Sequence, residues 1–140
     1  NQIEGRTKAK EKLPTWFSTD KIIYPVKVSL EQTSSEKTAA YKASLITGKS
    51  LIDLTGGFGV DDYYFSKTFR EVIHCEINTE LSQIVSHNFK QLQIENCTCH
   101  IGESSVILEK LNRKFSWIYV DPSRRNDSKG KVFLLNDCSV

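Results

Sequence analysis

Residues 51–62 read Leu51-Ile52-Asp53-Leu54-Thr55-Gly56-Gly57-Phe58-Gly59-Val60-Asp61-Asp62. An apolar run ends in a carboxylate, passes through a glycine-rich turn and reaches the polar start of a helix. In a strand–turn–helix unit, glycines let a ligand approach the main chain closely, and backbone N–H groups open toward it. The remaining chemistry of the chain is ordered by its distance from this turn.

Outward from the turn, strand and helix patterns alternate. Leu51–Leu54 is a buried strand and Asp61–Thr68 a short helix. Glu71–Glu76 is a second strand, again ending in a carboxylate. A helix follows over Thr79–Leu92, with Leu81, Ile84, Val85, Asn88, Phe89 and Leu92 on one face. Thr98–Ile101 is a third strand and Ser104–Leu111 a helix, and Phe115–Val120 is a fourth strand ending at Asp121-Pro122. Repeated β-α units of this length predict an α/β fold, a Rossmann-like, doubly wound parallel sheet with right-handed crossovers.

Upstream, Thr33-Ser34-Ser35-Glu36 fits a capping box with Thr33 as N-cap and Glu36 reaching back. That helix is expected to run to about Thr47, with Gly48 as its left-handed stop. Residues 1–12 read as a helix end or loose arm, stopped by Pro14. Trp16 and Phe17 would pack this arm on the body, and Ile22–Val28 is extended, with Pro25 arguing for an edge or irregular strand. The organisation expected is a basic arm and connector over residues 1–28, then a partial catalytic domain over 29–140.

The 140 residues, 39% hydrophobic and 26% charged, suit one globular domain with a real core. No apolar run approaches a membrane span and no signal peptide opens the chain, so the cytoplasm is the expected location. The absence of Met, even at position 1, reads as a piece of a longer protein. Charge is uneven: residues 1–50 carry nine Lys/Arg against five Asp/Glu, and residues 51–120 six against nine. A basic arm beside an acidic body permits a nucleic-acid partner, and reads equally well as a solvated helical face. Cys75, Cys97, Cys99 and Cys138 lack paired metal-ligand spacing, and no metal is predicted.

In such a sheet the ligand lies beyond the carboxyl ends of the strands. Asp53 with its glycines, Glu76, Gly102-Glu103 and Asp121-Pro122 all stand at strand ends. Glu76 follows Asp53 by 23 residues, near the offset at which a carboxylate accepts from both ribose hydroxyls. Gly102-Glu103-Ser104 is placed to meet an adenine. The spacing Gly57-x-Gly59 lacks the third glycine of a dinucleotide fingerprint, and Asp61-Asp62 would repel a pyrophosphate. S-adenosylmethionine, which carries no phosphate and has cationic groups, fits better than a nicotinamide dinucleotide. For Ser34 and Ser35, spacing alone favours first-turn helix polarity over contact with an anion or cofactor.

These residues together resemble the class I S-adenosylmethionine-dependent methyltransferases. They are similar in particular to a family of bacterial methyltransferases with a THUMP-like region after the catalytic domain. The resemblance rests on residues 29–36, the turn from Asp53 to Asp61, Glu76, and Tyr119-Val120-Asp121-Pro122-Ser123-Arg124-Arg125. It implies that Asp53, Thr55, Gly56, Gly57 and Gly59 hold the methionine end of the cofactor. It implies ribose contact by Glu76 with Ile77 beside it, adenine contact by Glu103 and Ser104, and closure over the cofactor by Gln32, Ser34 and Ser35. Asp121 and Pro122 would stand at the acceptor as the catalytic pair.

The chain departs from the family pattern at two places. Thr55 occupies the usual first glycine. Ser123 and Arg124 replace the second proline and the aromatic of amino-methylating relatives, which removes that base-stacking device. Arg124 and Arg125 could clamp a phosphate, stack on a base or pair with Asp127 or Asp137. The function expected is methyl transfer to RNA, with a non-catalytic RNA-binding module of the same fold as the alternative. The family's sheet usually has seven strands, so a chain with four is expected to expose an edge through which it could self-associate.

Overall fold

The computed structural model describes residues 2–25 and 32–121. Two helices open the chain, α1 (Gln2–Lys12) and α2 (Pro14–Ser18), followed by α3 (Glu36–Ser44). The sheet units then come in order: β1 (Gly48–Asp53), α4 (Val60–Phe65), β2 (Phe69–Glu76), α5 (Thr79–Gln91), β3 (Cys97–Ile101), α6 (Ser104–Leu111) and β4 (Trp117–Tyr119). The four strands form one parallel sheet in the order β3-β2-β1-β4. This is the α/β architecture that the apolar runs predict, because strands covered on both faces need no polar alternation.

β1 and β2 are the central strands, and their sides face different helices. Leu51 and Val72 pack with Ala43, Phe65 and Phe69 on one face, while Ile52, Ile73 and Cys75 meet Ile107 on the other. The largest cluster lies on the first side, where Ala9, Leu13, Trp16 and Tyr24 of the amino-terminal segment meet Phe58, Val60, Tyr63, Val85 and Phe89. Phe58 belongs to the glycine turn, with its ring 6.2 Å from Trp16 and 6.3 Å from Tyr24. The first helices therefore press on the turn from outside.

Several local expectations are corrected. α1 does end at Lys12, before Pro14 as expected, but Pro14 itself occupies the first turn of α2, where a missing N–H costs nothing. The N-cap of α3 is Ser35, whose hydroxyl accepts from Thr38 N–H at 3.2 Å, so Thr33 and Glu36 form no capping box. Glu36 instead takes Thr15 N–H and the Tyr64 hydroxyl, each at 2.7 Å, bridging α2 to α4. The helix α3 ends at Ser44, and Gly48 lies inside β1. Asn88, read as part of an apolar face, is buried and polar: its amide bonds both main-chain groups of Ile23, at 2.8 and 2.9 Å. Residues 22–25 carry no strand. Residues 26–28 of that proposed strand, residues 29–31, and Pro122, Ser123, Arg124 and Arg125 lie outside the described residues. β4 is an edge among the described residues, with Trp117 44% and Ile118 56% exposed. No helix of the described residues is long and apolar enough to cross a membrane.

Candidate functional site

The carboxyl ends of β1, β2 and β4 place Asp53, Glu76 and Asp121 around the glycine turn. Gly56 is the tightest point. Its N–H donates to the Cys75 carbonyl at 2.8 Å, and a Cβ there would lie 2.5 Å from His74 Nε2. Gly57 has φ +58°, and a Cβ on it would meet Thr55 O at an ordinary contact distance of 3.7 Å, with no clash. Space kept free beside a left-handed glycine is what a ligand needs to reach the main chain. Two of the turn's N–H groups are taken within the protein. Gly57 N–H donates to Glu76 Oε1 at 3.0 Å, so both it and Gly56 N–H are used within the protein.

Glu76 is fixed by two main-chain donors, Gly57 N–H on one oxygen and Asn78 N–H on the other at 2.8 Å. Each carboxylate oxygen has two lone pairs, so one per oxygen remains for a hydroxyl donor. Ile77 beside it is 70% exposed. Gly102 N–H donates to the Glu76 carbonyl at 3.0 Å, which brings the end of β3 alongside. Glu103 is exposed at the N-cap of α6 and accepts from the Ser105 hydroxyl, while Ser104 is buried.

Asp53 is fully enclosed beneath the turn. Its Oδ1 accepts from Thr55 N–H at 2.8 Å and lies 3.0 Å from Thr55 Oγ1. Its β-sheet neighbour is His74, whose Nε2 donates to the Gly57 carbonyl at 2.9 Å. Asp62 is buried against Asp53 and finds no N–H or hydroxyl donor among the described residues. It lies beside the Asp53 carboxyl, and burial raises both groups above the usual carboxylate range. Burial first, then the Asp53 charge, raises Asp62 well above the usual carboxylate range.

This weakens the electrostatic argument against a dinucleotide: burial favours the uncharged form of Asp62, and Asp61 is matched by Lys42 Nζ at 3.0 Å. The objection that stands is one of packing. The third glycine of a dinucleotide fingerprint allows a close helix–strand approach, and Asp62 fills that place with a buried carboxyl.

Lys42 and Asp61 centre a polar cluster that the sequence does not announce. Lys42 Nζ also donates to Ser34 Oγ at 3.0 Å and to Tyr119 Oη at 2.9 Å. The Tyr119 hydroxyl donates to Asp61 Oδ2 at 3.0 Å. Burial, reinforced by the Asp61 and Asp121 charges, raises the Tyr119 phenol and keeps it a donor. Ser34 is thus joined to the first turn of α4, while Ser35 serves its own helix. Gln32 is exposed at the start of the segment. Asp121 is exposed, and its N–H donates to Thr55 Oγ1 at 2.8 Å.

Among the described residues, no group of three or more His, Cys, Asp or Glu is placed to hold a metal ion. Burial pushes the Cys75 thiol up to about 12 and Cys99 to about 11, so neither is a ready nucleophile.

No family model and no curated protein matches the sequence. Solved structures do. A candidate methyltransferase from Porphyromonas gingivalis W83 matches over 89% of this chain and 32% of its own, with TM-score 0.79 and 32% identity. An O-methyltransferase from Bacillus cereus in complex with SAH matches over 89% and 63%, with TM-score 0.63 and 12% identity. A candidate RNA methyltransferase from Pyrococcus horikoshii matches over 84% and 61%, with TM-score 0.55 and 24% identity. The chain spans about a third of the length of the Porphyromonas protein. The four-stranded parallel sheet, its order and these likenesses together make this a methyltransferase-fold protein, with the Rossmann-like α/β architecture of class I S-adenosylmethionine-dependent enzymes.

Proposed function

We propose that this chain is the cofactor-binding part of an S-adenosylmethionine-dependent methyltransferase acting on RNA. Within the longer protein a THUMP-like region would be its companion. The observation that carries the reading is Glu76, a carboxylate braced by two main-chain N–H groups beside an open left-handed glycine. That donor set fits a ribose: each Glu76 oxygen keeps a lone pair, and Gly57 leaves room for the sugar and its neighbours.

When bound, the sulfonium cofactor supplies an electrophilic methyl group. Gly57 and Gly59 would shape the cradle of its methionine end, with Asp53 acting from below by holding Thr55 rather than by touching the ligand. Ile77 offers an exposed apolar surface next to the ribose carboxylate, and Glu103 with Ser104 borders the adenine side. Gln32 and Ser34 would close over the cofactor, with Ser34 held by Lys42. Asp121, exposed at the end of β4, would orient the acceptor through a hydrogen bond; methyl transfer asks for alignment and charge complementarity more than for strong acid or base. The basic side chains that follow, Arg124 and Arg125, support an acceptor bearing phosphates.

Calorimetry of the full-length protein with S-adenosylhomocysteine tests the pocket. Micromolar binding that is abolished by Glu76→Ala is expected, and equal affinity in the variant would overturn the assignment. The departure at Ser123-Arg124 favours a second reading, an RNA-binding module without catalysis. Methyl incorporation into RNA, lost in Asp121→Ala, would exclude that reading.

A further inference from the structure

The ends of β1 and β4 are joined by a side chain where their ladder stops. Main-chain pairing reaches the Leu54 N–H, which donates to the Tyr119 carbonyl at 3.0 Å. Beyond it β1 turns away into the glycines and offers no further carbonyl in register. Two residues past Tyr119, the Asp121 N–H finds Thr55 Oγ1 instead, at 2.8 Å. The same hydroxyl lies 3.0 Å from Asp53 Oδ1, an oxygen that already accepts from Thr55 N–H. The direction of this chain follows from the groups in it. A main-chain N–H can only donate, so it takes a lone pair of the hydroxyl, and the hydroxyl proton goes to Asp53. Bonds ordered head to tail in this way polarise and strengthen one another.

We propose that Thr55 is a positioning residue that sets the main chain of Asp121 from the cofactor turn. Its hydroxyl connects the Asp53 carboxyl beneath the turn to the acid at the acceptor end, and the assignment of that acid rests on the methyltransferase reading. Asp121 is exposed, and Thr55 gives its main chain a fixed anchor. Glycine, the residue of the common family pattern, could not make this link. Neither could alanine or valine. Serine could, which makes it the conservative control. Because Thr55 stands within the glycine turn, occupation of the turn is felt at Asp121 through two hydrogen bonds rather than through packing.

The test uses the full-length protein with Thr55→Val and Thr55→Ser. In Thr55→Val, hydrogen exchange of the amide at residue 121 should quicken about tenfold, the factor that one hydrogen bond is worth. Homocysteine-form cofactor should protect that amide in the parent and in Thr55→Ser, and not in Thr55→Val. Methyl transfer to RNA should fall about tenfold, further than any fall in cofactor affinity, and Thr55→Ser should restore transfer. Unchanged exchange at residue 121 in Thr55→Val would overturn the proposal. Affinity and transfer falling in step would overturn it too, since Thr55 would then serve the cofactor alone. If the parent protein bound no cofactor, the methyltransferase reading would fall, and exchange at residue 121 would still decide whether Thr55 holds Asp121.

Discussion

The two ends of the sheet carry opposite charge and treat it differently. At the carboxyl end, Asp53, Glu76 and Asp121 gather with Asp61 and Asp62. Each of the first two is bonded to main-chain donors, Asp61 is paired with a cation, and Asp62 is buried. At the amino end, a shallow groove of about 520 Å³ is lined by Lys49, Arg70, Arg113 and Lys114 with Glu71 and the polar floor of Ser50 and Ser116. Its described ion pair, Arg113 to Glu71 at 2.7 Å, is formed by two side chains each 40% exposed. A solvated pair of that kind contributes little, whereas buried and braced carboxyls fix geometry. Charge becomes a site when the fold immobilises it; the amino end has the charge without the bracing.

Substitutions can break that contrast. The largest effect is expected from Gly56→Ala at the carboxyl end. The new Cβ would sit 2.5 Å from His74 Nε2 and 2.6 Å from the Cys75 carbonyl, both on the buried strand β2. A destabilisation of about 3 kcal/mol in urea unfolding, with loss of cofactor binding, is expected. Lys42→Ala comes next, because it leaves Asp61 half-buried beside a phenol and a hydroxyl. Charged hydrogen bonds of this kind put the loss at about 2 kcal/mol. A loss within measurement error would show that the cluster is solvated like the amino end.

Asp62→Asn addresses pH. A carboxyl whose folded pKa is raised binds its proton more tightly in the folded state, so stability falls as pH rises from about 4 upward. Thermal midpoints of the parent should decline across that window, and those of Asp62→Asn should decline less. A parallel pair of curves would show that Asp62 does not carry this dependence. The smallest effect is expected from Arg113→Ala at the amino end. Its melting temperature and cofactor affinity should both match the parent; weaker cofactor binding would mean the two ends communicate.

Legibility follows the same division between local and distant causes. The strands were readable because a parallel strand buried on both faces is a continuous apolar run, and α6 begins and ends at the residues its pattern gives. The place of Glu76 at the end of β2 was readable as well, since its spacing from Asp53 reflects the length of one β-α-β unit. Glu36 was misread because a capping box is a local rule, and its carboxylate is taken by Thr15 and Tyr64, 21 and 28 residues away. Lys42 and Tyr119 meet across 77 residues, and nothing near either one signals it. Asp62 shows a different limit: the charge of a carboxyl depends on burial, which adjacent residues do not reveal. The Thr55 departure was visible, yet its meaning required the position of Asp121.

The two tryptophans of the chain stand at opposite extremes of this structure. Trp16 is wholly enclosed, against Phe58 of the glycine turn, while Trp117 lies 44% exposed on the β4 edge. The protein therefore carries two optical reporters with separable spectra: a blue-shifted emitter shielded from iodide, and a red-shifted one open to quenching. A ligand entering the turn should alter the shielded component, and a partner covering the sheet edge the quenchable one. One unlabelled sample can thus distinguish occupation of the crevice from association along the edge.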